Sequence, residues 1–330
     1  MALAVTRDRA DRAVNRTLTA IPGIAVGHAH DTAAATGCTA VLGPFVAAAD
    51  VRGLATGTRE MDALSPLHIT TRCDAILLGG GSAFGLAAAD GVSRWLEERG
   101  RGFPTRGGVV PIVPAAVIYD LGTGRADVRP DSGMGRAAAA TASTDPVAEG
   151  RVGAGAGATV GKLHGGEASE PAGLGGWAER FAEGTVAALV VVNAFGDVLD
   201  AEGRIIAGTR GADGGFLDTA RAIRSSAPRE GFGAPGESTT LAVVATDAPL
   251  GKRELQIIAR LAMNGIVRRI SPSNTPFDGD VVFAVSPNGP PGAEPEPGEV
   301  MAIGLRAQAV LEHAIERAAL LGGGEPPGEG

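Results

Sequence analysis

The sequence predicts a layered α/β or α+β fold rather than a barrel, on three observations. Candidate strands and helices are mixed along the chain without a strict βαβ alternation. Hydrophobic residues make up 44% of the 330 residues, as in a globular protein with a substantial core. Aromatic residues make up only 4%, whereas there are 51 glycines, so we expect packing through small aliphatic side chains at close backbone approach.

The individual elements follow from apolar runs and the turn residues that flank them. After a turn and strand at 21–27, strands are predicted over 38–42, 74–78, 109–113, 116–121, 187–192, 241–245 and 281–285. Apolar residues at helical spacing predict helices over 82–99, 252–263 and 299–321. Gly/Pro-rich composition predicts loops over 224–237 and 286–297.

The two ends of the chain differ in composition from the rest. Residues 1–18 are charged and are predicted to be a flexible lead-in, whereas residues 322–330 consist of Gly, Pro and Glu and are predicted to be disordered. We therefore expect one domain over residues 19–321.

Composition argues against several function classes. The net charge of −8 and a pI near 5.2 disfavour nucleic-acid binding. No stretch approaches the roughly 18 apolar residues of a membrane span, and the first residues lack the apolar core of a signal peptide. Cys38 and Cys73 form no CxxC pair and are predicted to be free, buried thiols. A cytoplasmic protein is expected, without nucleic-acid or membrane partners.

Two glycine runs invite comparison with nucleotide-binding loops. The run at 79–85 follows a strand and opens a helix, but Phe84 stands where the dinucleotide fingerprint requires Gly or Ala. The run at 153–158 matches that fingerprint only because it is nearly all Gly and Ala. Leu163 also replaces the Ser or Thr that would follow Lys162 to hold magnesium. Neither run is expected to bind a nucleotide, and no cofactor is predicted.

Serine-hydrolase and metal signatures are equally weak. Ser82 lacks the G-x-S-x-G elbow because Phe84 occupies the second glycine position. His28 and His30 form an H-x-H pair without a supporting cluster of ligands, so a strand-edge pair without metal is favoured. A Ser-His-Asp triad stays open, since no residue singles out one of the five histidines.

The segment with chemical interest is 237–250, ESTTLAVVATDAPL, in which a Gly/Pro-rich loop runs directly into hydroxyl residues and then a core strand. A threonine at a new amino terminus would carry its own base, because the free α-amine has an unperturbed pKa of about 7.7–8.0. This order of loop and strand suits a nucleophile generated by cutting the chain. On residue pattern alone, however, hydroxyl residues at this position more often simply form the polar start of a strand.

The chain also resembles the DmpA/BapA family of self-processing aminopeptidases, described as L-aminopeptidase/D-esterase and β-peptidyl aminopeptidases. The resemblance runs from about Ile21 to Leu321 and consists of eight blocks in the family's order. These blocks are IPGIAVGH (21–28), VRGLATGTRE (51–60), AILLGGGSAFGLAAADGVSRWLEERG (75–100), VVPIVPAAVIYDL (109–121), RVGAGAGATVGK (151–162), ALVVVNAFGDV (188–198), TTLAVVATDAPL (239–250) and TPFDGDVVFAV (275–285).

The resemblance implies a cleavage site and a nucleophile. Family precursors cut themselves before the Ser or Thr that starts the strand ending in ATDAP-like sequence. Counting back seven residues from Thr246 assigns this role to Thr239, with cleavage after Ser238. Family members often have Asn or Gly before the cut, so Ser238 is a departure from the pattern.

Four further residues acquire roles through the same resemblance. Asn193 matches an asparagine that helps to form the oxyanion hole, where a neutral donor meets developing negative charge. Asp278 and Asp280 match a pair that contacts the nucleophile and its amine, although Asp278 replaces the serine of well-studied members. Tyr119 lies near a family tyrosine proposed to assist catalysis.

The implied fold is a four-layer αββα sandwich like that of N-terminal-nucleophile hydrolases, with different connectivity. Its inner strands would be 187–192, 241–245 and 281–285, and residues 19–321 would be one catalytic domain cut between 238 and 239. The implied activity is removal of N-terminal residues from small peptides, amides or esters through an acyl-enzyme on Thr239. A homo-oligomer of cleaved pairs, a tetramer, is expected by analogy. A self-cleaving acyltransferase and a non-catalytic scaffold of the same fold remain alternatives.

Overall fold

The computed structural model describes residues 15–165, 168–182, 184–225, 238–290, 292 and 294–323. The strands formed by these residues are β1 (Ala25–Asp31), β2 (Thr36–Val51), β3 (Gly57–Arg59), β4 (Cys73–Gly79), β5 (Phe103–Thr105), β6 (Gly108–Val110), β7 (Ala115–Val117), β8 (Thr159–Val160), β9 (Glu170–Pro171), β10 (Leu174–Phe181), β11 (Gly184–Asn193), β12 (Asp197–Leu199), β13 (Ile205–Ala207), β14 (Thr239–Thr246), β15 (Ile270–Ser271) and β16 (Val281–Ser286). Their α-helices are α1 (Ala88–Glu97), α2 (Ser132–Ala140), α3 (Thr219–Ser225), α4 (Lys252–Arg269) and α5 (Pro297–Gly322).

The main sheet has the strand order β10-β11-β14-β16-β2-β4-β7-β3, with β1 also paired to β2. The 16-residue β2 joins its two halves. The first part of β2 pairs with β1 and β4, whereas its last part pairs with β16. The register with β4 shifts between Leu42 and Phe45, as at a bulge that bends a strand. The sheet therefore divides into a β1/β4/β7/β3 half and a β10/β11/β14/β16 half.

Side chains that alternate along the strands fill three apolar layers. One cluster lies between the two half-sheets and contains, for example, Ile76 and Leu78 from β4 with Leu189 from β11. The outer face of the β11/β14/β16 half packs on α4 and α5, and that of the β4 half packs on α1 and α2. The order is helices, sheet, sheet, helices, so the predicted αββα sandwich is confirmed.

The strands predicted at 187–192, 241–245 and 281–285 are the neighbours β11, β14 and β16. All residues of β14 and β16 are buried. Strands with two buried faces read as continuous apolar runs, which is why their sequences were informative.

Several elements differ from their predicted bounds. The strand predicted over 38–42 is part of the longer β2, and the helix predicted over 252–263 continues to Arg269. The segment predicted as a helix over 82–99 begins as a 3₁₀ turn over Ser82–Ala87, because Gly81 and Ser82 both have positive φ values, +75° and +54°. The strand predicted over 116–121 ends at Val117, and that predicted over 109–113 ends at Val110. The residues after Val117 leave the sheet and enter the site described below.

The predicted lead-in also ends earlier than residue 18, since Leu18 is completely buried in the central cluster and Thr17 is buried beside it. Helix α5 continues to Gly322, one residue into the predicted tail. Residues 1–14, 226–237 and 324–330, with most of the predicted flexible segments, lie outside the described residues. In the part of the chain that is described, no helix is long and apolar enough to cross a membrane.

Candidate active site

The site lies where the starts of β14 and β16 meet the end of β11. Strands β14 and β16 are parallel, so their first residues lie at the same edge of the sheet. Thr239 is the first residue of β14 and pairs with Asn193, the last residue of β11. Ser238 forms a parallel bridge with Asp278, three residues before β16. The fold thus brings together the predicted nucleophile, cleavage position, asparagine and carboxylates.

The peptide bond between Ser238 and Thr239 has two donors on its carbonyl oxygen. The Thr239 hydroxyl donates to the Ser238 oxygen at 2.5 Å, and the main-chain N–H of Gly279 donates to the same oxygen at 2.9 Å. Ser238 and Thr239 are both buried, Thr239 with 2% of its surface exposed. The Thr239 hydroxyl and the Gly279 N–H therefore converge on one buried carbonyl oxygen, and an N–H donor held in this way could stabilise negative charge on it.

Gly279 was not recognised from the sequence as a functional residue. A Cβ added to it would lie 2.8 Å from the Thr239 hydroxyl oxygen and 2.7 Å from the carbonyl oxygen of Ala55. These distances are too short for a carbon atom without displacing its neighbours. The glycine between the two aspartates thus allows the backbone to approach the Thr239 hydroxyl closely. In the sequence, the only sign of this close approach is that a glycine stands between the two aspartates of the FDGD motif.

The two aspartates accept hydrogen bonds from main-chain amides near Thr239 rather than contacting the Thr239 hydroxyl. Asp280 accepts hydrogen bonds from the N–H of Thr240 at 2.7 Å and from that of Asn274 at 3.0 Å. Asp278 accepts from the Thr275 hydroxyl at 2.6 Å and from the Phe195 N–H at 3.3 Å. The carboxyl groups are therefore positioned by the main chain that surrounds the cleavage position.

Their protonation is also unusual. Both aspartates have 1% of their surface exposed. Burial, followed by the repulsion of Asp278, raises the pKa of Asp280 to about 7. Burial also raises the pKa of Asp278, against the hydrogen bonds from Thr275 and the positive charge of Lys162. A carboxyl group that titrates near neutral pH can both accept and return a proton during a reaction.

Asn193 is anchored by groups that are distant in the sequence. Its side-chain oxygen accepts from the Lys162 ammonium at 2.8 Å and from the Thr159 N–H at 3.1 Å, and its amide nitrogen donates to the Tyr119 carbonyl at 3.0 Å. The bonds span 31, 34 and 74 residues of sequence. Although Asn193 ends β11, its side chain thus connects segments that are distant in the sequence.

Lys162 is a second functional candidate that the sequence reasoning missed. Its ammonium group is buried, with 5% of the residue's surface exposed, and it also donates to the main-chain oxygen of Asn193 at 3.2 Å. The sequence presented this lysine only as a possible phosphate ligand after a glycine run. Its nearness to Asn193 and Asp278 depends on strand order, which a local motif does not contain.

Tyr119 joins the site through its main-chain carbonyl, which accepts from Asn193, and its side chain is half-buried. The predicted role of its phenol stays a prediction. The His28 ring lies 2.9 Å from the Thr39 hydroxyl, and burial lowers its pKa to about 4. Among the described residues no group of three or more His, Cys, Asp or Glu side chains is placed to hold a metal ion.

The two cysteines are free and buried, as the sequence predicted. Burial raises the pKa of the Cys38 thiol to about 12 and that of Cys73 beyond its ordinary range. Neither thiol is therefore a nucleophile at neutral pH.

Comparisons with known proteins identify a peptidase family and a matching fold. The model of peptidase family S58 matches residues 16–321. An uncharacterized aminopeptidase of Mycobacterium leprae is 41% identical over 333 residues, covering 91% of this chain and 88% of the relative. A 6-aminohexanoate-oligomer endohydrolase of Kocuria sp. is 33% identical over 272 residues, which cover 80% of this chain and 73% of the relative. The solved structure of the L-aminopeptidase D-Ala-esterase/amidase from Ochrobactrum anthropi, a variant of the Ntn hydrolase fold, superposes with a TM-score of 0.67. It is 19% identical in sequence, and the superposition covers 92% of this chain and 85% of that chain.

Proposed function

Since this chain belongs to peptidase family S58 and is therefore a hydrolase of the aminopeptidase type, we propose that it cuts its own peptide bond between Ser238 and Thr239 and then uses Thr239 as its nucleophile. The observation that carries this proposal is the Ser238 carbonyl oxygen, which accepts from both the Thr239 hydroxyl and the Gly279 N–H. This arrangement supports attack by the Thr239 hydroxyl, with the Gly279 N–H as a donor to the oxyanion that would form.

Self-cleavage proceeds by an N→O acyl shift. The Thr239 hydroxyl oxygen bonds to the Ser238 carbonyl carbon, and the Gly279 N–H stabilises the resulting oxyanion. The bond to the Thr239 nitrogen then breaks, and that nitrogen takes up a proton. The carboxyl groups of Asp280 and Asp278 bond to neighbouring groups rather than to this hydroxyl, so its proton would pass to Asp280 and back through an intervening water molecule. Burial and the repulsion of Asp278 raise the pKa of Asp280 to about 7, which suits such an exchange. Water hydrolyses the ester and leaves a Ser238 carboxylate and a free Thr239 amine.

In the mature enzyme the new amine takes over as the base. Its unperturbed pKa of about 7.7–8.0 lets it accept the Thr239 hydroxyl proton near neutral pH. The hydroxyl oxygen then attacks the substrate carbonyl, and the amine of the departing group leaves with a proton. The acyl-enzyme formed is released by water. Asn193 and the Gly279 N–H are the proposed oxyanion donors, and the buried charge of Lys162 holds the Asn193 oxygen in place.

The proposed substrates are small peptides, amides or esters with a free amino terminus. The aspartates beside Thr239 could also receive the ammonium group of such a substrate. The Kocuria relative is named for hydrolysis of 6-aminohexanoate oligomers, which also contain amide bonds. A substrate panel should therefore include aminoacyl amides of L-, D- and β-amino acids together with these oligomers.

Intact mass and N-terminal sequencing of the purified protein test the central claim. We expect two chains, 1–238 and 239–330, which have 238 and 92 residues, since 330 − 238 = 92. A second chain starting at Ser238 or Thr240 would contradict the assignment of the nucleophile. One uncut chain without activity would instead support the scaffold alternative, and transfer of the acyl group to an amino acid in preference to water would support the acyltransferase alternative.

Two further proposals concern the state of the protein in the cell. We propose a homo-oligomer of cleaved pairs, a tetramer, which light scattering tests: a single pair in dilute solution contradicts it. We also propose a cytoplasmic location, with which two free cysteines are compatible, since a reducing compartment keeps thiols unpaired. Cell fractionation tests that location.

A further inference from the structure

The two glycine runs without a nucleotide role both pack around one buried carboxyl group, that of Asp120. A Cβ added to Gly80 would collide with the Asp120 carboxylate oxygen, and one added to Gly157 would lie 2.8 Å from the Asp120 Cβ. Gly80 belongs to the run at 79–85 and Gly157 to the run at 153–158. The missing side chains at these positions create the space that Asp120 occupies.

The Asp120 carboxylate is fixed by donors from two other segments. The Thr36 hydroxyl donates to one of its oxygens at 2.8 Å, and the Gly81 N–H donates to the other at 2.7 Å. Only 3% of the residue's surface is exposed. Burial raises the pKa of Asp120, whereas these hydrogen bonds and the positive charge of Lys162 act in the opposite direction.

Asp120 is connected to Asn193, a proposed oxyanion donor, in two ways. It follows Tyr119, whose carbonyl accepts the hydrogen bond from the Asn193 amide. The positive charge of Lys162 also favours the ionised form of Asp120, as it does that of Asp278, and the same ammonium group donates to the Asn193 oxygen. One buried carboxylate is thus connected to both ends of the Asn193 amide group.

We propose that Asp120 is a positioning residue of the active site: its ionised carboxylate balances the charge of Lys162 and fixes the Tyr119 carbonyl that orients Asn193. The inference rests on the proposed function of Thr239 and adds a residue to it. The charged groups in this network are Lys162, which acts on Asp120 and on Asp278, and Asp278, which acts on Asp280.

The Asp120→Asn variant removes the charge and keeps the size of the side chain. Without the negative charge, the positive charge of Lys162 is less opposed, which disfavours protonation of Asp278 and of the nearby Thr239 amine, the proposed base of the mature enzyme. The acid limb of the pH–rate profile should therefore move to lower pH by roughly half a unit or more, as one charge at intermediate distance can produce. We expect kcat to fall about tenfold or more while KM changes about twofold or less, because orientation of an oxyanion donor acts mainly in the transition state.

The Thr36→Val variant keeps the carboxylate and removes one hydrogen bond that favours its ionised form. Its turnover relative to wild type should fall progressively as the pH decreases from 8.5 to 5.5, since Asp120 then retains its proton to higher pH. This result is expected whether or not Asp120→Asn yields folded protein. An equal deficit at every pH would overturn the role of the charge.

A purely structural Asp120 predicts a different set of results. The Asp120→Asn variant would then melt at lower temperature but keep the wild-type pH profile and kcat, and that outcome overturns the proposal. The mass of the wild-type protein separates the two claims. An uncut wild-type chain contradicts self-cleavage itself, whereas a cut wild-type enzyme with unshifted variants contradicts only the role of Asp120.

Discussion

The main-chain N–H of Gly279 donates a hydrogen bond of 2.9 Å to the carbonyl oxygen of Ser238, the group that the Thr239 hydroxyl faces. Gly279→Ala should therefore strongly impair self-cleavage, because its Cβ would meet the Thr239 oxygen at 2.8 Å and displace either the nucleophile or the donor. Loss of one oxyanion donor typically costs about 10²–10³-fold in rate. A time course of cleavage on denaturing gels measures this loss.

Gly107→Ala is the matched control, since a Cβ at that position meets no atom within 4 Å. The control should be cut at the wild-type rate. If Gly279→Ala were cut as rapidly as this control, the Gly279 N–H would not be a donor in the reaction.

The proposed nucleophile is tested by substituting Thr239 and the neighbouring Thr240. Thr239→Ala should leave one chain of 330 residues, because the attacking oxygen is absent. Thr239→Ser should still be cut, since the hydroxyl remains. Thr240→Val keeps the shape of the side chain and the main-chain N–H that donates to Asp280. This variant should therefore still be cut between residues 238 and 239. Cleavage of Thr239→Ala at the wild-type position would exclude the mechanism.

These residues also show how much of the site could be predicted from the sequence. The residue pattern alone drew attention to the segment that contains Thr239. The roles of Thr239, Asn193 and both aspartates came from the family resemblance. Their meeting depends on the strand order β11-β14-β16, which places non-consecutive segments side by side.

Gly279 and Lys162 were missed for a physical reason. The function of Gly279 comes from its main-chain N–H and its missing side chain, and neither distinguishes one glycine from 50 others in the sequence. Lys162 acquires its partners only when residues 31 positions apart come together. Individual strands and helices follow from periodicity, and the order of the layers came from the family resemblance, whereas such contacts follow from tertiary packing.

The protonation of Asp280 predicts a dependence of stability on pH. Its pKa is about 7 in the folded protein, against an ordinary value of 3.8. Both states carry the proton below pH 4, but between pH 4 and 7 only the folded state keeps it, so the stability contribution is lost as pH rises. The Asp280→Asn variant has no such proton. The difference in Tm between wild type and this variant should therefore decrease from pH 4.5 to 7.5, by roughly 2–4 °C or more.

Asp213→Asn, at an exposed position, serves as the control for this series and should follow the wild-type pH dependence. Parallel Tm curves for wild type and Asp280→Asn across this pH range would show that Asp280 does not retain a proton in the folded state.

The role of Asn193 can be separated from its contribution to stability. If its amide donates to the oxyanion, its effect appears in the transition state rather than in substrate binding. Asn193→Ala in already cleaved enzyme should then lower kcat by about 10²–10³-fold with little change in KM. Because Asn193 also accepts from Lys162 and Thr159, we expect a lower Tm as well.

A matched variant distinguishes these two effects. Asn193→Asp keeps an oxygen for Lys162 and Thr159 but replaces the donor amide by an acceptor, so it should retain more thermal stability than Asn193→Ala and remain as poor a catalyst. Both kcat and Tm are measured on pre-cleaved protein, so that a maturation defect does not enter the comparison. A destabilised variant with near-normal kcat would end the oxyanion assignment and leave Asn193 as a structural link between β11, Lys162 and the Tyr119 carbonyl.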